Sequence, residues 1–264
     1  MAIEGLVLSK IPYQERHLIV KLLTRDGTIR SLLFFGGKGG GAKNKGSVVE
    51  LGYMLKVFIR PNNKNNDLLM TSDWKVIWHP EDIRGDYQAF TLLCFFVEVM
   101  TVLAIGGDKT DAEESRALDF HQEHSGLFRV LSNALFYLNQ HSREKTLHLP
   151  NQILTYLAKL LLELGIFPGL DVCSISGEAF CGTELKVLLP DHGGFALAEL
   201  SGVGGSEQDG NRLWQLLITI KSSKYQELVL PFNASEWMVK TLFDYFCFQF
   251  GLSAQKFKSY SFIF

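Results

Sequence analysis

The sequence predicts a multi-domain α+β protein, with a small β-barrel of the OB type over residues 1–80 followed by an all-α helical domain over residues 81–264 that carries a small inserted β-hairpin region. Three observations predict it. Strand-like runs fill the first 80 residues, the hydrophobic period becomes helical after His79-Pro80, and the charge changes sign between the two halves. A chain of 264 residues also exceeds one ordinary domain of ~150 residues, which makes two domains the default expectation.

The barrel rests on five runs. Residues 3–8 (IEGLVL), 17–23 (HLIVKLL), 28–35 (TIRSLLFF), 48–60 (VVELGYMLKVFIR) and 67–78 (DLLMTSDWKVIW) are β-branched, aromatic or alternating. Turn-rich pieces separate them: Pro12-Tyr13-Gln14-Glu15, Asp26-Gly27, the stretch 36–47 (GGKGGGAKNKGS) and 61–66 (PNNKNN). Five short strands ahead of helices suit an OB barrel, and other small antiparallel barrels share the pattern.

Helices follow. Residues 84–105 read as one long apolar helix, and 111–140 as one or two amphipathic helices with Leu127, Val130, Leu131, Ala134, Leu135 and Leu138 in register. Residues 150–164 read as a helix that Pro150 opens and Gly165 closes. Short strands are expected at 184–189 and 194–199, a loop at 201–210, and helices at about 207–220 and 234–250. Asn233 and Glu236 form a capping-box-like start to the last helix, and Gly251 stops it.

Composition narrows the classes. Hydrophobic residues make up 47% and charged residues 20%, which is globular. Cys94, Cys173, Cys181 and Cys247 are sparse and unevenly spaced, and the first residues lack a signal-peptide pattern, so free thiols in a reducing cytoplasm are expected. The apolar stretch 87–105 just reaches spanning length, but Glu98 within it would cost ~2.5 kcal/mol or more in a bilayer. A buried central helix, and no membrane partner, is the expectation.

Net charge is −2 overall, yet residues 1–84 hold 13 Lys and Arg against 8 Asp and Glu, while residues 85–264 hold 13 against 20. The cations gather around the glycine-rich stretch 36–47, which contains Lys38, Lys43 and Lys45, with Arg25, Arg30, Arg60 and Lys64 nearby. It is not a phosphate-binding P-loop: Gly41 and Gly46 have the spacing, but Ser47 stands where the lysine belongs and a strand follows instead of a helix. Taken alone, the stretch reads first as a solvated surface loop. With its neighbours it becomes a basic loop able to follow a phosphate backbone. Among the barrel aromatics Tyr13, Phe34, Phe35, Tyr53 and Phe58, most are expected in the core. Phe34 and Phe35 are adjacent in a strand, so at most one faces inward and the other is a candidate for stacking on bases.

No catalytic motif is present, and no enzyme activity is expected. Cys173, Cys181 and His192 would need a fourth ligand to make a zinc site, and no tight Cys-x-x-Cys pair supplies it. Ordinary thiols are the favoured reading. The pair His121 and His124, with Glu114 nearby, reads as a solvated helix face.

The order of these parts along the whole chain resembles the RecO family, bacterial recombination mediators of DNA repair. Residues 4–8 (EGLVL), Pro12-Tyr13-x-Glu15 and 18–27 (LIVKLLTRDG) look like its first hairpin. Residues 36–47 and 48–58 look like its basic loop and next strand, 153–170 (ILTYLAKLLLELGIFPGL) like its Leu-rich helix, and 256–262 (KFKSYSF) like its C-terminal segment. The resemblance implies a non-catalytic protein that binds single- and double-stranded DNA and anneals strands. It implies work with RecR and with the C-terminal tail of single-stranded-DNA-binding protein to load RecA on gapped DNA. Lys38, Lys43 and Lys45 match the family's basic loop by position.

The chain also departs from the family. Many members carry a four-cysteine zinc site after the Leu-rich helix. Here Cys173 keeps the first position, while Ser176, Leu197 and Leu200 hold the other three, making the region 171–200 a degenerate zinc-finger-like hairpin that should bind no metal. The basic loop is glycine-rich where the family is arginine-rich, and Tyr260 stands where arginine is common. Both changes imply weaker DNA binding, with the barrel acting mainly as a protein-interaction scaffold as the alternative.

Overall fold

The computed structural model describes residues 1–36, 49–61, 68–105, 125–182, 184–202 and 207–263. The described residues up to Thr146 form one compact unit and those from Leu147 onward a second. The change from strands to helices falls at His79-Pro80, inside the first unit.

Five strands close the barrel: β1 (Ala2–Tyr13), β2 (His17–Thr24), β3 (Ile29–Phe34), β4 (Met54–Ile59) and β5 (Leu68–Trp78), in the order β1-β2-β3-β5-β4. β3 and β5 run parallel, with Leu33 opposite Met70, and the other neighbours are antiparallel. This is the OB-type barrel that the strand pattern predicts. Alternation sets its interior. Leu18, Val20 and Leu22 of β2 and Leu55, Val57 and Ile59 of β4 point into one core with Phe34 and Trp74. β1 crosses β2 closely at Gly5, where a Cβ would lie 2.7 Å from the Leu23 carbonyl oxygen.

β1 runs further than its sequence implies. Pro12 and Tyr13 stay paired with Leu18 and His17, and the turn is confined to residues 14–16. The proline is tolerated because β4 pairs only with residues 2–6 of β1, leaving the far half an edge on that side. The strand expected at 48–60 is shorter, because a turn at Leu51-Gly52 precedes Met54. Gly52 has φ +75° and its N–H donates to the Val7 carbonyl.

The helical run read as 84–105 is two helices, α1 (Glu81–Arg84) and α2 (Tyr87–Ile105). Gly85 separates them, and the Asp86 carboxylate accepts from the N–H groups of Gln88 and Ala89 to start α2. α3 (Ser125–Glu144) holds α1 through Asn139, which accepts from the Asp82 and Ile83 N–H groups and donates to the Asp82 carboxylate. Phe95 and Phe96 of α2 are fully buried. Among the described residues no helix is long and apolar enough to cross a membrane.

In the second unit, α4 (Leu149–Glu163) has Pro150 in its first turn and His148 as its N-cap, and Gly165 with φ +71° follows its end. β6 (Lys186–Leu189) and β7 (Gly194–Leu197) form the predicted hairpin, followed by α5 (Ala198–Ser201), α6 (Glu207–Ser222) and α7 (Glu236–Gln249). Ser235, not Asn233, caps α7: its hydroxyl accepts from the Met238 N–H at 3.3 Å. The Asn233 carboxamide instead accepts from Asn151 at 2.9 Å. Phe257 and Tyr260 pack their rings on Phe243 and dock the C-terminal segment.

Lys186 is fully buried in the hairpin. Its ammonium sits 4.7 Å from the Trp214 ring centre and 5.1 Å from that of Phe180, and donates to the Glu184 carbonyl at 2.9 Å. α6 approaches so closely that a Cβ on Gly210 would lie 1.9 Å from the Lys186 carbonyl oxygen.

Candidate nucleic-acid interface

The end of β3 presents two phenylalanines to opposite sides. Phe34 is fully buried against Trp74 at 4.8 Å, and Phe35 is half-exposed. His17 packs edge-on to Phe35 at 5.0 Å, and the Arg60 guanidinium lies 4.3 Å from the Phe35 ring centre. Arg60 is exposed but held: its Nε donates to the Thr71 carbonyl at 3.1 Å. Thr71 is itself buried and donates its hydroxyl to the Leu33 carbonyl, tying β5 to β3 below the pair. The two terminal amino groups of Arg60 carry no bond to any described residue.

Gly36 and Pro61 border this cluster. The Gly36 N–H donates to the His17 Nδ1 at 3.1 Å, and Pro61 follows Arg60 directly. Lys38, Lys43 and Lys45 come after Gly36 in the chain and Lys64 after Pro61, and these four lysines lie outside the described residues.

Arg25 and Arg30 have different surroundings. Arg25 donates from Nε to the Glu4 carboxylate at 2.8 Å and lies 5.4 Å from the Phe128 ring centre. Lys56 takes the other Glu4 oxygen at 3.1 Å, and the bonds from Lys56 and Arg25 hold the Glu4 carboxyl below its usual range. Arg25 is therefore engaged locally. Arg30 is exposed and lines a cavity of about 420 Å³ with Met1, Ile3, Thr24, Asp26 and Leu69. Burial pushes the Asp26 carboxyl up, but bonds from Thr24 and Thr28 and the charge of Arg30 outweigh it and lower its pKa. Of the other barrel aromatics, Tyr13 is 39% exposed, Phe58 is partly buried, and Tyr53 sits under the Arg84 guanidinium at 4.8 Å. The reading of residues missed His17 and Asp26, whose roles depend on strand pairing and on the Thr24–Thr28 turn.

The zinc-finger-like region holds no zinc set. Among the described residues no three His, Cys, Asp or Glu side chains are grouped to hold a metal. Cys173 is buried, and its sulfur accepts from the N–H groups of Ser176 at 3.5 Å and Leu197 at 3.4 Å. Burial raises the thiol, but the bonds from Ser176, Leu197 and Ile175 outweigh it and bring the pKa down to about 7. One sulfur, with leucines at two of the other positions, does not fit a tetrahedral zinc ion.

Residues 1–77 match the family model described as Recombination protein O N terminal, and residues 115–211 match the one described as Recombination protein O C terminal. The chain belongs to the RecO family. It is 28% identical over 212 residues to the DNA repair protein RecO of Prosthecochloris aestuarii, covering 77% of this chain and 72% of that protein. It is 23% identical over 185 residues to the DNA repair protein RecO of Chlorobium limicola, covering 70% of this chain and 63% of that one. In this RecO-family chain the N-terminal match ends one residue before the end of β5, so it coincides with the barrel and includes Phe35 and Arg60. The C-terminal match takes in Cys173 and the β6–β7 hairpin.

Proposed function

We propose that this protein is a non-catalytic recombination mediator that binds single- and double-stranded DNA on the barrel and anneals complementary strands. It acts in the cytoplasm with RecR and the C-terminal tail of single-stranded-DNA-binding protein to place RecA on gapped DNA. Residues 1–80 serve as the DNA-handling domain and residues 81–264 as the partner-handling one. The observation that carries this reading is the Arg60–Phe35 pair. It sets a charged fork on an aromatic face beside Gly36 and Pro61, which in sequence precede Lys38, Lys43 and Lys45 and Lys64 respectively. Phosphate screening by lysines leaves base edges free to find a complement, and an aromatic face holds unstacked bases without reading them.

A second reading makes the barrel mainly a scaffold for a protein partner. It is favoured by the use of barrel cations in local pairs: Arg25 and Lys56 on Glu4, and Lys10 on Glu50. DNA binding across a salt series, with and without RecR, separates the two. The mediator reading expects salt-sensitive single-strand binding by the chain alone, with a log–log slope that falls by up to ~0.7 for each phosphate contact removed in the triple change of Lys38, Lys43 and Lys45 to Ala. An unchanged slope removes the loop from the DNA site. RecR binding with no DNA binding at moderate salt establishes the scaffold.

A further inference from the structure

The cavity beside Arg30 has the makings of a recognition site. Met1, Ile3 and Leu69 line it with apolar surface, while Thr24, Asp26 and Arg30 supply the polar groups. Asp26 is fixed by one oxygen only. Its Oδ1 accepts from the Thr24 hydroxyl, the Thr28 N–H and the Thr28 hydroxyl. Oδ2 accepts no hydrogen bond from a described residue, and the exposed Arg30 guanidinium, whose charge acts on Asp26, donates none to one. A carboxylate anchored through Oδ1 and a neighbouring guanidinium thus offer one acceptor, Oδ2, and a set of donors over an apolar slot.

A phosphate does not suit this slot, because the free Asp26 oxygen repels it and the apolar lining gives it nothing. A nucleobase complements the slot: it has flat apolar faces for the lining and an edge where an N–H donor neighbours an acceptor. The cavity volume of about 420 Å³ lies in the range of small-ligand sites. It is also joined to the Arg60 cluster through the backbone, since the Ile59 N–H donates to the Met1 carbonyl and the Arg60 N–H to the Met70 carbonyl, next to Leu69.

We propose that this cavity takes one unpaired nucleobase, with Asp26 Oδ2 accepting from its N–H edge and Arg30 donating to the adjacent acceptor. The assignment rests on the DNA-binding reading of the barrel. It makes the barrel two-part, with Arg60 and Phe35 serving backbone and stacking and Asp26 and Arg30 gripping a base that has left its duplex. Base capture of this kind favours single strands over duplex, because a paired base keeps that edge occupied.

The test is fluorescence anisotropy of the full chain with a short single-stranded oligonucleotide and with an abasic oligomer of the same length and charge. Asp26→Asn is the decisive variant, since asparagine retains an oxygen for Thr24 and Thr28 but replaces the free acceptor with a donor. We expect it to bind the base-bearing strand about ten-fold more weakly while leaving abasic binding unchanged or tighter. Simple electrostatics has the opposite sign, because removing a negative charge strengthens binding to both strands. Arg30→Gln is expected to lose more on the base-bearing strand than on the abasic one. An Asp26→Asn protein that holds the base-bearing strand as well as or better than wild type overturns the pocket, and so does a wild-type chain that binds both oligomers equally. In either case the DNA-binding reading survives. Failure of the wild type to bind either oligomer overturns both.

Discussion

The Arg60 guanidinium lies 4.3 Å from the centre of the Phe35 ring, with its Nε bonded to the Thr71 carbonyl. The arginine therefore faces solvent from a fixed position, and less ordering entropy is lost when it meets a ligand. Lysine carries the same charge without the plane or the Nε bond. Arg60→Lys is expected to weaken single-strand binding three- to ten-fold, roughly 0.7–1.4 kcal/mol, with the salt slope unchanged. Arg60→Ala should weaken it further and lower the slope by ~0.7. Anisotropy titrations over a salt series measure both quantities. Wild-type affinity in Arg60→Lys would show that planarity has no part in binding.

Cys173 ties stability to pH. Its folded pKa of about 7 lies below the ordinary thiol value of 9.0, so the thiolate stabilises the folded chain above pH 9, and this contribution fades as pH falls through 7. Stability should therefore rise between pH 7 and 9 in the wild type and lose that component in Cys173→Ser. Cys94 and Cys181 are shifted upward, by burial in the first and by Glu184 in the second, and burial takes Cys247 to about 12. Thiolate absorbance should accordingly show its first step near pH 7 and lose that step in Cys173→Ser. Persistence of the step in the variant would assign it to another thiol.

The start of α7 separates two asparagine and serine roles. Ser235→Ala removes the cap on the Met238 N–H and should cost about 1 kcal/mol. Asn233→Ala loses one exposed bond to Asn151 and should cost about 0.5 kcal/mol. Asn151→Ala should exceed Asn233→Ala, because Asn151 also accepts from the Ala234 N–H at 2.7 Å. Urea unfolding of the three variants gives the ranking, and a larger loss in Asn233→Ala than in Ser235→Ala would return the cap to Asn233.

Much of the fold was legible because periodicity is local. The pleat puts Leu18, Val20 and Leu22 on one side whatever they pack against, and Pro150 and Gly165 mark the limits of α4 through backbone conformation alone. The candidate interface was only half legible. Clustered charge in the first 84 residues pointed to Arg25, Arg30 and Arg60 alike, and composition cannot say which cation already has a partner.

By itself, then, the sequence determined the strand and helix periods and the change at His79-Pro80, since each depends on residues close together in the chain. Tertiary structure decided the rest. Strand pairing brought Glu4 to Arg25 across 21 residues and gave that exposed arginine a local partner, while it left Arg30 over a cavity and set Arg60 on Phe35. Packing of Phe180 and Trp214 buried the ammonium of Lys186, a residue whose charge alone would place it outside. A side chain's charge is written in the sequence, but its partner and its access to water are set by residues far along the chain.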